Sequence, residues 1–220
     1  MNLYNQNLDY LCNKRKISIT EFEHIIYIPK VRIMEPTPDE LIRIADYFQL
    51  PIDVLLKKNL RLSDKAQEKD IKLVILDVDG TMTDGGMYFT ENGDQIKKYN
   101  TKDGMAIKRC SKDGLAFGII SHGHKIKMVE DRAHLLDINH VYVGQERKTE
   151  VLSRWCVDLG ISPENVAFIG DDINDVEIME TVGLSACPAD AINSVKSIAD
   201  VVLTKNGGAG CIREFLDEWL

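Results

Sequence analysis

The apolar positions of the chain fall into two regimes. Residues 8–59 follow a helical period, and Leu41-Ile42-Arg43-Ile44-Ala45-Asp46-Tyr47-Phe48 is strongly amphipathic. Thr37-Pro38-Asp39-Glu40, just ahead of that run, reads as a helix start. From residue 71 onward short apolar runs replace the stripe. Leu73-Val74-Ile75-Leu76 is bounded by polar residues and fits a strand buried on both faces. The same grammar returns at 115–120, 141–143, 166–169, 184–187 and 201–203. Helical patterns at 126–136, 149–159 and 176–181 lie between them, and Pro163 after Ser162 opens either a helix or a turn. Strands alternating with helices predict an α/β fold, a doubly wound parallel sheet whose ligands bind at the carboxyl ends of the strands.

One segment breaks the alternation. Gly86-Met87-Tyr88-Phe89-Thr90 and Gln95-Ile96-Lys97-Lys98-Tyr99 flank Glu91-Asn92-Gly93-Asp94, and Asn-Gly between β-rich arms predicts a hairpin. It follows the first strand directly, so it should project over the carboxyl edge of the sheet. The polar stretch 63–70 separates the regimes. The predicted domains are therefore a small all-helical one over 1–62, a linker over 63–70, and an α/β domain over 71–220.

Composition narrows the class. The chain of 220 residues is 44% hydrophobic and 28% charged, the profile of a globular protein with a core that needs no staple. Its five cysteines form no CxxC pair and read as reduced thiols. No apolar run approaches the roughly 20 residues of a membrane helix. The first residues lack the apolar stretch of a secretion signal. These features predict a cytoplasmic protein with no membrane partner. The net charge of -8 argues against a general nucleic-acid binder. Residues 1–70 are balanced in charge, so the acidic excess lies in 71–220.

Part of that excess sits at strand ends. The first strand runs into Asp77-Val78-Asp79-Gly80-Thr81, where alternation puts Asp77 and Asp79 on one side if the strand continues. Neighbouring carboxylates repel, and a divalent cation is the simplest compensation. Gly170-Asp171-Asp172-Ile173-Asn174-Asp175 closes a later strand at the same edge. Either cluster alone reads as an acidic turn. The two together build an oxygen-rich site suited to Mg2+.

These residues carry a resemblance. Four features stand in order: Asp77-Val78-Asp79-Gly80-Thr81, Ser121 ending a strand, Lys148, and Gly170-Asp171-Asp172-Ile173-Asn174-Asp175. Residues 71–220 thereby resemble the haloacid dehalogenase superfamily of phosphohydrolases. The resemblance implies a Mg2+-dependent phosphatase with metal ligands Asp77, Asp79 (through its main-chain carbonyl) and Asp171. It implies that Asp77 attacks phosphorus and that Asp79 is the acid and base. Asp172 and Asp175 would orient the surroundings of the metal and the lysine, while Ser121 and Lys148 hold the transferring phosphoryl group. Lys125 and Lys127 are alternatives to Lys148 on charge alone.

The spacing leaves no room for a large cap domain. Thr83-Asp84-Gly85, Asn92-Gly93, Tyr99-Asn100-Thr101-Lys102-Asp103-Gly104, Val129-Glu130-Asp131-Arg132 and Gly207-Gly208-Ala209-Gly210-Cys211-Ile212-Arg213-Glu214 resemble one capless branch. That branch is the 3-deoxy-D-manno-octulosonate 8-phosphate phosphatase family, with the nonulosonate 9-phosphate phosphatases as near relatives. The resemblance implies a phosphorylated sugar acid as substrate. It also implies a homotetramer in which the hairpin joins a shared barrel and a neighbour stands in for the cap. Asn100, Lys102 and Asp103 would line the substrate entrance, although Asp103 also suits the N-cap of the following helix. The chain departs from the branch at Ser121-His122-Gly123-His124, usually Thr-Gly-Arg, at Ala209, often Arg, and at Lys102, commonly Arg. These changes spare the catalytic motifs and leave the particular sugar acid open.

The N-terminal segment resembles a Cro/repressor-type helix-turn-helix through Asn7-Leu8-Asp9-Tyr10-Leu11, Lys16-Ile17-Ser18, Glu21-Phe22 and the run 38–56. Between Pro29 and Pro36 only six residues remain, about two turns short of what a recognition helix in the major groove needs. The expectation is a degenerate motif with a helical interaction role rather than DNA binding. The rival expectation is a DNA-binding regulator that senses a phosphosugar.

Overall fold

The structure is a computed structural model and describes residues 2–61, 63–64, 69–92, 95–123 and 126–220. The chain divides into two compact units, Met1–Lys65 and Ala66–Leu220.

The first unit holds α1 (Leu3–Lys14), α2 (Ile19–Ile26), α3 (Lys30–Met34), α4 (Pro38–Phe48) and α5 (Ile52–Lys57). Capping boxes start α2, where Ser18 pairs with Glu21, and α4, where Thr37 pairs with Glu40 and Pro38 occupies the first turn. The apolar stripes meet in one core that includes Leu8, Phe22, Ile33, Ile44, Phe48 and Leu55. Asn7 is buried inside this unit. Its side-chain nitrogen donates to the carbonyls of Leu55 (2.9 Å) and Lys58 (2.7 Å), and its oxygen accepts from the Leu60 amide (3.0 Å). It thus closes the end of α5 against α1. The residues between Pro29 and Pro36 make only the five-residue α3, and Arg32 within it pairs with Glu40 of α4.

Ser63 and Asp64 belong with this unit rather than with a linker. Ser63 is buried, and the Asp64 carboxylate accepts from Tyr10 of α1 and pairs with Lys14. The rest of the expected linker at 65–68 lies outside the described residues.

The second unit is a six-stranded parallel sheet with helices on both faces. Its strands are β1 (Leu73–Leu76), β4 (Ala116–Ser121), β5 (His140–Val143), β6 (Val166–Ile169), β7 (Leu184–Cys187) and β8 (Val201–Val202), in the order β5-β4-β1-β6-β7-β8. Each residue of β1 is fully buried, as its unbroken apolar run requires. Val74 and Leu76 join the core on one face, and Leu73 and Ile75 join the core on the other. The crossover helices are α6 (Thr101–Lys112), α7 (Ile126–Leu135), α8 (Lys148–Leu159), α9 (Val176–Thr181) and α10 (Asn193–Ile198), and α11 (Cys211–Glu218) closes the unit. Pro163–Asn165 is a single 3-10 turn, too near β6 to grow into a helix.

The hairpin strands β2 (Tyr88–Phe89) and β3 (Gln95–Ile96) pair over only two residues each, shorter than the arms the sequence suggests. Met87, Tyr88, Phe89 and Ile96 are exposed, so no core among the described residues extends the pairing. Gly93 and Asp94 of its turn lie outside the described residues.

Replacing Asn7 with Leu removes three hydrogen bonds and strands the Leu60 amide, so the first unit should lose about 2–4 kcal/mol of stability. Hydrogen exchange on the full chain should show the 55–60 segment opening first, with the α/β unit unchanged.

Candidate active site

The register of the sheet gathers the acidic strand ends. Leu76 lies level with Ile119 of β4 and with Ile169 of β6. The Asp77 amide continues that pairing by donating to the Ile169 carbonyl (3.0 Å). Asp77, Ser121 and the loop after Gly170 therefore share one edge, and Lys148 reaches them as the first residue of α8.

Lys148 is the hinge of the arrangement. Its side chain is 1% exposed, and its ammonium donates to both Asp77 Oδ1 and Asp175 Oδ1, each at 2.5 Å. The second oxygen of Asp175 accepts from the amides of Asp171 (2.9 Å) and Asp172 (3.1 Å), so the loop folds around a fully buried carboxylate. Asp171 accepts from the Thr81 hydroxyl at 2.9 Å. Asp172 is exposed, and its carboxylate accepts from the Ile173 amide to start the short turn at 173–175. Ser121 is buried and its hydroxyl accepts from the Gly123 amide.

Among the described residues, Asp77, Asp171 and Asp175 each offer an oxygen within 4.8 Å of the others. Three carboxylates here face one ammonium. Burial pushes the Asp77 carboxyl from its ordinary 3.8 up to about 7; Lys148 opposes this, and Asp175 and Asp171 add to it. Burial also pushes Asp171 up to about 7, against the Thr81 hydrogen bond and with Asp175 and Asp172 adding to it. Burial works against the Lys148 ammonium, but Asp77 and Asp175 outweigh it and its affinity for the proton rises. The unbalanced negative charge and the all-oxygen donor set fit a hard divalent cation.

Asp79 stands outside that cluster. It follows Asp77 on a kinked loop in which Gly80 has φ +91°, and its carboxylate pairs with Lys97 at the base of the hairpin. A Cβ on Gly80 would lie 2.0 Å from Asp171 Oδ2, so a bare backbone is required there. Gly207 presses on the same loop from the other side, where a Cβ would meet the Gly80 carbonyl oxygen at 1.8 Å. The Gly208 amide donates to the Thr81 carbonyl (3.0 Å).

The residues expected at the substrate entrance are placed unequally. Lys102 is exposed. Asn100, not Asp103, caps α6: its side chain accepts from the Lys102 amide (2.8 Å) and donates to the Gly208 carbonyl (3.0 Å). The helix starts a turn earlier than a cap at Asp103 would require. Asp103 is buried, and its carboxylate accepts from the Arg213 amide (2.8 Å) at the start of α11. Burial raises its pKa. Of the alternative lysines, Lys127 pairs with Asp131 on the exposed face of α7, and Lys125 lies outside the described residues, as does His124. His122 bridges loops, its ring lying 3.0 Å from the Glu146 carbonyl and 3.3 Å from the Asn174 side chain. Ala209 is exposed in the turn before α11.

Thr81 and Lys97 emerge only here as parts of the site. Thr81 was visible as the last letter of its motif. Lys97 lies in a hairpin arm whose alternation gives no sign that one lysine turns inward. A separate cleft of about 510 Å3, lined by Ile71, Lys72, Cys110, Asp113, Trp219 and others, lies at the opposite, amino-terminal edge of the sheet, away from these carboxylates.

Comparison with known proteins agrees with the geometry. Residues 122–215 match the haloacid dehalogenase-like hydrolase family model. The chain is 43% identical over 152 residues to the 3-deoxy-D-manno-octulosonate 8-phosphate phosphatase of Escherichia coli K12, covering 69% of this chain and 80% of that protein. It is 39% identical over 148 residues to the Yersinia pestis phosphatase of the same name, covering 67% and 79%. The crystal structure of the Yersinia pestis enzyme superimposes with a TM-score of 0.69 at 37% identity, over 72% of this chain and 84% of that one. The Moraxella catarrhalis enzyme, solved with magnesium, phosphate and KDO, superimposes with a TM-score of 0.68 at 30% identity, over 71% and 88%. The fold and its acidic edge define a haloacid dehalogenase-like hydrolase. Within that class, the chain belongs to the 3-deoxy-D-manno-octulosonate 8-phosphate phosphatase family.

The raised carboxyls make a pH prediction. Their folded values exceed their unfolded ones, so their contribution to stability is full below about pH 4 and is lost as pH rises through about 7. In chelator, the wild type should lose stability between about pH 5.5 and about pH 8 relative to Asp171→Asn, whose amide does not titrate. Urea unfolding at both pH values tests this, and equal slopes for the two proteins would refute it.

Proposed function

We propose that the protein is a Mg2+-dependent phosphomonoesterase that removes phosphate from 3-deoxy-D-manno-octulosonate 8-phosphate. The observation that carries the reading is the Asp77–Lys148–Asp175 constellation beside Asp171, in a chain whose relatives bear that phosphatase name. The Mg2+ ligands in this reading are Asp77, the main-chain carbonyl of Asp79, and Asp171. Bound there, the cation neutralises phosphate oxygens that would otherwise repel a carboxylate.

The remaining work falls to the chain. Asp77 attacks phosphorus in line and forms an aspartyl-phosphate. Asp79 gives a proton to the departing alkoxide, then takes one from the water that hydrolyses the acyl phosphate. Lys148 and Ser121 hold the transferring phosphoryl group, and Lys148 also keeps Asp77 directed by its buried ion pair. Asp175 and Asp172 fold the loop that presents Asp171. Asn100, Lys102 and Asp103 belong to the substrate side, Lys102 by its exposed charge and the other two by bracing the entrance. The departure at Ser121-His122-Gly123-His124, with His122 held between the Glu146 carbonyl and Asn174, makes a nonulosonate 9-phosphate the second substrate to test.

The exposed apolar hairpin supports assembly into a homotetramer, with a neighbour's surface covering an otherwise open site. The five-residue α3, with Arg32 tied to Glu40, supports a helical interaction role for the first unit over DNA binding.

Phosphate release from octulosonate 8-phosphate, nonulosonate 9-phosphates and hexose phosphates, with Mg2+ and with EDTA, tests the assignment. The expected outcome is an EDTA-sensitive preference for the octulosonate ester, and loss of at least about 10³-fold in kcat for Asp77→Asn. Retained turnover by that variant would falsify the nucleophile. Phe89→Glu, at the hairpin, should lower the mass measured by light scattering from tetramer toward monomer; an unchanged mass removes the hairpin from the interface.

A further inference from the structure

Among the described residues, two lysines meet the carboxylates of the site, and their duties are separate. Lys148 serves the buried carboxylates Asp77 and Asp175, whereas Lys97 pairs with Asp79. Lys97 lies directly after β3, and its side chain is only 10% exposed although its neighbours Ile96 and Lys98 are exposed. The hairpin leg is stitched across the catalytic loop at three successive residues. Lys97 meets Asp79, Lys98 meets Asp84 at 2.6 Å, and Tyr99 bridges to Thr83. The Asp79 side chain is itself 41% exposed. Without Lys97 it would sample several rotamers in water, and a proton donor is useful only in the one that reaches the departing oxygen.

We propose that Lys97 is a positioning residue for Asp79: the hairpin carries its ammonium onto the catalytic loop to hold that carboxylate facing the leaving group. This rests on the reading of Asp79 as the proton donor. The first consequence is that the hairpin acts on the chemistry of its own chain, apart from any part in assembly. The second is a dependence on the leaving group. A primary alkoxide departs badly without a proton, whereas p-nitrophenolate departs without one.

The full-length protein with Mg2+ is assayed as wild type, Lys97→Met, Lys97→Arg, Lys98→Met and Asp79→Asn. The substrates are the sugar acid phosphate turned over fastest and p-nitrophenyl phosphate. Lys97→Met should lower kcat/KM, which reports only the step in which the alcohol departs and not the later hydrolysis of the aspartyl-phosphate, by about tenfold or more for the alkyl ester and by less than about threefold for the aryl ester. Lys97→Arg should recover most of the loss. Lys98→Met, which loosens the hairpin without touching Asp79, should leave the alkyl-to-aryl ratio at its wild-type value. Equal losses on both esters for Lys97→Met, or a gain on the alkyl ester, would overturn the proposal while Asp79→Asn still shows the split. Equal losses for Asp79→Asn would instead overturn the proton-donor reading, and this proposal with it.

Discussion

The structure of the site depends on one buried ammonium shared by two carboxylates. Removing an ion from water is expensive, and a buried pair is tolerated only when geometry and further hydrogen bonds make up the difference. Lys148 meets that condition by starting a helix at the same sheet edge where β1 and β6 end. Asp175 meets it with two backbone amides. The loop after β6 is therefore shaped by a charge it must satisfy, and Asp171 is delivered to its place as a consequence. Asp171 and Asp77 remain short of positive charge, which is why the edge is made for a cation rather than merely decorated with acid.

The second constraint is close backbone contact. Three stretches remote in sequence meet around Gly80: the loop after β1, the Asp171 carboxylate and Gly207. None can retreat, because each is held by bonds to another element. Thr81 donates to Asp171, Gly208 donates to Thr81, and Asn100 donates to Gly208 while capping α6. The hairpin then crosses the same loop, with its apolar residues left outside. Charge and backbone contact thus act on the same edge, one setting where the carboxylates lie and the other setting the loop that carries them.

How much of this was legible in the sequence follows from which interactions are periodic and which are not. The apolar runs announce the strands because a parallel strand buried on both faces has no alternative composition. The two acidic clusters, at 77–79 and 171–175, could be paired because strand ends of one sheet face one edge; the side chain of Asp79 departs from Asp77 because the chain kinks instead of continuing the strand. Asp103 misled because an acidic residue ahead of a helix looks like a cap. Asn100, three residues earlier, captures that role, and burial by α11 claims Asp103. The hairpin arms looked longer than they are because β-propensity is local, whereas pairing needs a covered face. Lys97 was invisible for a related reason. Its partner is set by a loop kink at Gly80, and no pattern of neighbours encodes that direction.

The contacts that join the loop after β1 to the later motifs are distant along the chain. Asp77 meets Lys148 71 residues later, and Thr81 meets Asp171 90 residues later. Gly207 comes later still. Such closures lose chain entropy before they gain energy, and topologies built on them fold slowly. During synthesis, β1 and its two aspartates emerge long before Gly207 can press on Gly80. The nascent α/β unit therefore carries Asp77 without its ammonium until Lys148 has been made, and the loop after β1 lacks the backbone that presses on Gly80 until nearly the whole chain exists.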